Sequence, residues 1–252
     1  MSLLDRKFVF LQDIMKKIFL TILLTLTFTG VSVAQITNFG IRVGGGLSTI
    51  YDDLTEKTPI MGASAGAFIT IEFRQMRSPL AYIFSIQTGL NVVRRGGKFR
   101  EDFDQPYSLP SVHEGGYDAL YGQLPVLLNF HIEIPGSRRK QFVKLFLGPA
   151  VSYGFYGTYE DRKVTPHLPQ TDINYKIHNA KAFDYLNRLD VEAIVGVGYE
   201  HKNWDFSIYV DHGFLSVQDV KDAASGEMRS GASLNSYMLA VGYHFPIGDK
   251  KK

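Results

Sequence analysis

Hydrophobic and polar residues alternate with a period of two over eight separate segments of this chain, and this pattern restricts its possible folds more than any other feature. Successive side chains of a β-strand point to opposite faces, so each segment predicts a strand with one apolar and one polar face. The segments lie within residues 38–48, 61–74, 82–92, 120–133, 143–155, 188–200, 204–211 and 236–245. No stretch after Gln35 has a long helical period, and the sequence therefore predicts an all-β protein.

The first 34 residues have the features of a secretory signal peptide. Lys16 and Lys17 precede an apolar run over residues 18–28, and Ser32-Val33-Ala34 supplies the small residues of a cleavage site before Gln35. This divides the chain into residues 1–34, an N-terminal extension with a cleavable signal peptide, and residues 35–252, a single β-barrel domain.

Export also changes the charge balance of the chain. Cleavage lowers the lysine plus arginine count from 27 to 23 and the acidic count from 25 to 23, which leaves no net charge. A neutral exported protein has no electrostatic reason to bind nucleic acid. The chain has no cysteine, which excludes disulfides and thiolate metal sites.

The connections between the predicted strands alternate in length. Short connections cover residues 75–79, 135–140 and 201–203, and long connections cover residues 50–59, 94–116, 160–187 and 215–232. An eight-stranded antiparallel up-and-down transmembrane β-barrel explains this order, because outer-membrane barrels have short periplasmic turns and longer extracellular loops. Lipid offers no partner to free backbone groups, so such a sheet has to close. Both termini are then expected in the periplasm.

In this arrangement the apolar rows face lipid and the polar rows face the lumen. An eight-stranded barrel is just wide enough inside for side chains, so we expect a closed lumen filled by a paired charge network. Its predicted members are Arg42, Glu72, Arg74, Lys144, Arg188, Asp190, Glu192 and Asp205. Aromatic girdles are predicted at both ends, with Phe39, Phe73, Tyr82, Tyr199, Trp204 and Phe245 by the turns and Tyr153, Phe155, Phe214 and Tyr237 by the loops.

The second long connection begins with a group of basic residues, Arg94, Arg95, Lys98 and Arg100, followed by acidic ones. One interpretation is a solvated loop of mixed charge. The other is that these cations lie beside the outer leaflet and bind phosphates of lipopolysaccharide. Loop tyrosines are suited to binding a protein partner.

Several segments resemble one known family. They are 38–48 (NFGIRVGGGLS), 124–128 (LPVLL), 147–151 (LGPAV) and 241–245 (VGYHF). In this order they resemble the PorT-like outer-membrane β-barrel family common in Bacteroidota, across essentially the whole mature chain. The resemblance implies an outer-membrane barrel. One branch of that family serves a protein-secretion system, and most members have no assigned task.

Two alternatives belong to other functional classes. A soluble periplasmic ligand-binding β-barrel would turn the apolar rows inward around a cavity. A lipid-modifying enzyme would use Asp211, His212 and Ser216, but the alternation places Asp211 and His212 on opposite faces. The other histidines lack ligand spacing, so we expect a monomeric, non-enzymatic protein without cofactor or metal.

Overall fold

β-Branched and aromatic residues, which favour strands, recur at alternate positions and fold into long antiparallel strands. The computed structural model describes residues 35–51, 56–72, 83–103, 111–135, 141–164, 173–178, 183, 187–215, 220–221, 228–229 and 233–247. Residues 1–34 and the predicted girdle residues Phe73 and Tyr82 lie outside this set.

The described part of the chain consists of strands and their connections. In chain order the strands are β1 (Gln35–Tyr51), β2 (Glu56–Thr58), β3 (Ile60–Glu72), β4 (Phe84–Phe103), β5 (Ser111–Glu133), β6 (Gln141–Val164), β7 (Ile173–His178), β8 (Leu189–His201), β9 (Trp204–Gly213), β10 (Val220–Lys221), β11 (Met228–Arg229) and β12 (Ser233–Pro246). Among these residues, no helix is long and apolar enough to cross a membrane.

Eight of these strands form a closed wall. Each pairs antiparallel with its neighbours in the order β1, β3, β4, β5, β6, β8, β9 and β12. The first and last strands then pair with each other, so that Val43 lies between Ala65 of β3 and Val241 of β12. The prediction of an eight-stranded antiparallel barrel is confirmed, and the wall has no free edge.

The apolar rows face outward. On β1, Ile41 is 49% exposed and Val43 is 61% exposed, and Leu239 of β12 is 62% exposed. The polar row points inward, where Asp205 and Ser85 are fully buried. The soluble ligand-binding barrel is therefore wrong, because it requires the aliphatic rows to pack around an internal cavity.

The prediction that residues 94–116 form a loop is wrong for most of this segment. β4 continues to Phe103 and β5 begins at Ser111, so most of this segment is strand. β4 extends beyond its last pair with β3 and pairs there with β2. β6 extends in the same way beyond its last pair with β8 and pairs there with β7. We call residues 94–103, 111–120 and 156–164, together with β2 and β7, the protruding sheet. The glycine and charged residues of these segments give them the composition of a loop. In the structure, the charged side chains pair across neighbouring strands and stabilise the sheet.

Two ends of the barrel can be distinguished by their connections. At the short-turn end, β8 and β9 are joined through Lys202 and Asn203, and Lys202 has the positive φ of 56° that such a tight turn requires. The opposite end, which carries the protruding sheet, is called the long-loop end. Aromatic rings lie in contact near the short turns, with Trp204 and Tyr243 5.0 Å apart and Tyr243 and Phe245 4.9 Å apart.

Exposed aromatic residues also lie toward the long-loop end. Tyr153 and Phe155 of β6, Phe214 after β9 and Tyr237 of β12 are each at least 46% exposed. Aromatic residues at both ends of an outward apolar band are typical of the two interfaces of a membrane.

Candidate functional site

The lumen near the short-turn end holds a balanced ionic group, which we call the Asp205 cluster. Asp205 is fully buried, and its Oδ2 lies 2.5 Å from Nζ of Lys144 and 2.9 Å from Nη2 of Arg42. Lys144 also lies 3.1 Å from Glu200, which in turn lies 3.3 Å from His131. Two cations thus face two carboxylates, and each charge has a partner inside the wall.

Aromatic residues fill the space above this cluster. Phe68 and Phe146 interrupt the polar rows of β3 and β6, and both are buried in the lumen. Each ring lies across from a glycine of the adjacent strand, Gly40 for Phe68 and Gly196 for Phe146. A Cβ at either glycine would overlap the ring, so glycine makes room for the aromatic side chain. The guanidinium of Arg42 lies 4.9 Å from the Phe68 ring centre.

A second ionic group, the Arg95 cluster, lies toward the long-loop end. The fully buried Arg95 contacts Glu192 of β8 and Asp211 of β9, and its Nη1 lies 3.8 Å from Asp190. Nε2 of Gln123 donates hydrogen bonds to Glu192 at 2.6 Å and to Asp211 at 2.8 Å. The cluster therefore ties β4, β5, β8 and β9 together across the lumen.

A hydrophobic cluster covers the Arg95 cluster at the long-loop end. Its buried members are Ile50, Tyr117, Ala119, Tyr121, Tyr159, Phe183 and Leu234. Phe183 comes from the connection between β7 and β8 and packs edge-on against Tyr121, with ring centres 6.0 Å apart. Arg188 stacks over Phe183 at 5.5 Å. The lumen is thus capped by apolar side chains at this end.

Little free space is left between the two ionic clusters. A cavity of about 10 Å³ lies there, lined by Arg42, Ser64, Asn91 and Tyr209 among others. A cavity of this size has room for about one water molecule. The described side chains that line this cavity therefore leave little room for water at this level of the barrel.

The structure places most of the predicted charge network in the lumen. Arg42, Lys144, Asp190, Glu192 and Asp205 lie in the two ionic clusters described above. Glu72 is half-buried at the end of β3, and Arg188 lies at the mouth. Arg74 lies outside the described residues.

The predicted charge network does not include Arg95, the central member of the second cluster. Both interpretations of the basic group, a solvated loop or a lipopolysaccharide contact, are wrong for Arg95, because its side chain is buried between carboxylates. The period-two alternation of β4, continued past Val93, places Arg95 on the inward row and would have found it. Gln123 lies on the inward row of β5, but nothing in the sequence shows its link to Glu192 and Asp211.

The other three predicted lipopolysaccharide contacts face outward on the protruding sheet. Arg94 donates to both oxygens of Asp118, with the shortest distance 2.5 Å, and Arg100 lies 3.5 Å from Glu114. Lys98 lies beside Gly116 of β5, so no acidic side chain stands directly opposite it on that strand. On β6 and β7, Glu160 pairs with Lys176 at 3.3 Å.

Asp211 and His212, two of the residues considered for catalysis, do not face each other. Asp211 faces Arg95 in the lumen, whereas Nδ1 of His212 lies 2.5 Å from Asn235. Ser216 lies outside the described residues. No catalytic pair forms between Asp211 and His212, which lie on opposite faces of β9.

One group of residues has the spacing of metal ligands. Ligand atoms of Glu200, Asp205 and His244 lie within 4.8 Å of one another. Lys144 and Arg42 already contact these carboxylates, and two cations would repel a metal ion there. The donor set is thus that of an ion-pair network.

Comparison with solved structures identifies similar barrels at low sequence identity. The attachment invasion locus protein Ail of Yersinia pestis, crystallised with the heparin analogue sucrose octasulfate, is 12% identical over 84% of this chain and 100% of Ail, with a TM-score of 0.34. Neisserial surface protein A is 10% identical over 82% of this chain and 97% of its own, with a TM-score of 0.38. The N-terminal β-barrel domain of Pseudomonas aeruginosa OprF is 10% identical over 83% and 99%, with a TM-score of 0.27.

Sequence comparison gives the family. No curated protein sequence matches the chain. The profile of the family described as outer membrane protein beta-barrel domain matches residues 28–219, which is more than half of the chain. That family resides in the outer membrane, in agreement with the outward apolar rows. The chain therefore belongs to the outer-membrane protein β-barrel family.

Proposed function

We propose that this protein is a non-enzymatic, non-conducting outer-membrane barrel that binds its partners at the long-loop end. The single observation that carries the proposal is the filled lumen, in which two ionic clusters and a hydrophobic cap surround a cavity of about 10 Å³. A filled interior serves as a rigid scaffold. Recognition then falls to the protruding sheet and the loops.

Conductance measurements test the closed lumen. The purified full chain, inserted into planar lipid bilayers, should give no stepwise current, and an open porin in the same bilayers serves as the positive control. Reproducible single-channel steps from the folded chain would contradict the proposal.

The protruding sheet begins where the apolar surface ends. Val92 is the last exposed aliphatic residue on β4, and Arg94 follows it on the same outward row. Further along β4, Lys98 lies over Gly116 of β5. It lines a surface depression together with Glu160 and Lys176. This position suits the phosphates of the outer leaflet, and we propose that Arg94, Lys98 and Arg100 contact lipopolysaccharide there.

This contact predicts a salt-sensitive association. Replacing Arg94, Lys98 and Arg100 by glutamine should weaken co-sedimentation with lipopolysaccharide vesicles and flatten its dependence on salt. Lys202→Gln, in the turn at the opposite end, is the matched control and should bind as the wild type does. Equal binding by the triple variant and the control would refute the contact.

We further propose that the short turns and both termini lie in the periplasm. The chain has no cysteine, so single introduced cysteines report their own accessibility. In intact cells, a membrane-impermeant maleimide should label Lys98→Cys, whereas Lys202→Cys should be labelled only after the outer membrane is permeabilised. The reverse pattern would invert the orientation.

Within the family, we propose a relationship to the PorT-like members. The order of the glycine- and proline-containing strand segments supports this, and it favours an accessory role in secretion or envelope support through a protein bound at the loops. Cross-linking from Lys98→Cys in intact cells, followed by identification of the captured protein, tests it. Capture of secretion components supports the accessory role, whereas unchanged secretion in a deletion strain counts against it.

A further inference from the structure

The Arg95 cluster contains more acidic groups than basic ones. Asp190, Glu192 and Asp211 are each at most 4% exposed, and within the described residues the ion pairs of all three go to the single guanidinium of Arg95. If every group were ionised, three negative charges would face one positive charge inside the wall. Burying a charge without a partner costs several kcal/mol, so this arrangement needs a further positive charge.

The Asp205 cluster shows that the imbalance is particular to one place. There, Lys144 and Arg42 face Asp205 and Glu200, and the formal charges cancel. Both clusters lie in the same lumen, although Arg42 and Glu200 are less buried than the members of the Arg95 cluster. The excess acidity is therefore a local property of the Arg95 cluster.

Among the described residues, the side chains packed around the cluster are polar and uncharged, and Gln123 donates hydrogen bonds to it. β1, β3 and β12 contribute serine side chains near this level, β5 contributes a glutamine and two tyrosines, β6 contributes a serine, and β9 contributes a further tyrosine. They are Ser48, Ser64, Ser236, Gln123, Tyr117, Tyr121, Ser152 and Tyr209. At the mouth, the charged Arg188 stacks on the ring of Phe183.

The positions of Glu192 and Asp211 indicate where an additional positive charge would bind. Oε2 of Glu192 and Oδ2 of Asp211 both accept hydrogen bonds from Nη2 of Arg95 and from Nε2 of Gln123. The two carboxyl groups thus share the same two donor nitrogens. Two carboxylates that share a site in this way cannot both ionise without strong repulsion, which favours a bound proton on one of them.

We propose that Glu192 and Asp211 form a proton-binding site, in which a carboxylic acid is hydrogen-bonded to a carboxylate. The proton comes from water when the barrel closes and stays bound at neutral pH. Arg95 then faces the shared negative charge of the pair and the carboxylate of Asp190, which also accepts a hydrogen bond from the backbone N–H of Leu215 at 3.2 Å.

A bound metal ion is the other source of positive charge. Arg95 and Gln123 already bind the carboxyl oxygens that a metal ion would need as ligands, and this favours a proton. Infrared spectroscopy distinguishes the two. A bound proton gives a carboxylic acid C=O band that shifts in D₂O, whereas a metal ion leaves only carboxylate bands.

The first test uses the wild-type full chain, folded in detergent in the presence of EDTA. We expect a carboxylic acid band in neutral buffer and the resistance to SDS without heating that is typical of folded barrels. Absence of the band from the folded wild type would overturn the proposal, as would one tightly bound metal ion per chain by elemental analysis. This test needs no variant.

Substitutions then assign the band. Asp211→Asn and Glu192→Gln should each abolish it and keep SDS resistance, because the remaining carboxylate ionises beside Arg95. The matched control Asp190→Asn should keep the band. A band that persists in both single variants would refute the assignment.

Discussion

Lys144→Met is the substitution whose effect follows most directly from the structure. The ammonium group of Lys144 is 1% exposed and contacts Asp205 at 2.5 Å and Glu200 at 3.1 Å. Methionine has a similar length and no charge, so the change removes the contacts with little loss of volume. It leaves two buried carboxylates with one fewer cation.

The size of the loss can be bracketed. Removing one partner of a buried ion pair costs about 3–5 kcal/mol. Asp205 keeps Arg42 at 2.9 Å and Glu200 keeps His131 at 3.3 Å, so we expect the lower part of this range, about 3 kcal/mol in the free energy of unfolding. The matched control is Lys176→Met, which breaks the exposed pair with Glu160 and should cost about 0.2–1 kcal/mol.

Urea titration in lipid bilayers measures both values. The chain has one tryptophan, Trp204, which lies on the outward face at the short-turn end, so its fluorescence reports the loss of the lipid environment. Glu200→Gln combined with Lys144→Met should recover part of the lost stability, because it removes the carboxylate that has lost its ammonium partner and keeps the pair of Asp205 with Arg42. If Lys144→Met and Lys176→Met destabilise the barrel equally, the lumen is hydrated and the reasoning about buried pairs fails.

Three further substitutions test other parts of the molecule. Gly40→Ala should destabilise the barrel by about 1–3 kcal/mol because its Cβ overlaps the Phe68 ring, and the second change Phe68→Leu should relieve this in the same urea titration. Leu239→Arg, at an outward position that is 62% exposed, should cost about 2–4 kcal/mol in bilayers, whereas a soluble barrel would tolerate it; equal stability to the wild type would place this face outside the lipid. Phe183→Ala should weaken the cap by about 3 kcal/mol without conductance, because the ionic clusters remain; a current in planar bilayers would show that Phe183 alone closes the lumen.

The sequence predicted the wall of the barrel because alternation is a local property. Each outward row is read from residues two apart, as in Ile41 and Val43, and it needs no knowledge of the neighbouring strand. The contents of the lumen depend on register, which joins residues far apart in sequence. Phe68 disturbs the pattern of β3, and its position becomes clear only when Gly40 is known to lie opposite.

The protruding sheet shows the limit of reading strands by hydropathy. Once β4 leaves the lipid, its outward row changes from Val92 to Arg94, and the apolar signal that defines a membrane strand ends although the strand continues. The backbone is still paired, and the facing of side chains still alternates. Arg94 therefore points outward to Asp118 and Arg95 points inward to Glu192, one residue apart. Because the predicted end of β4 is too early, the sequence assigns Arg95, the central cation of the second cluster, to a surface loop. Strand periodicity and lipid exposure are separate properties, and they coincide only within the membrane.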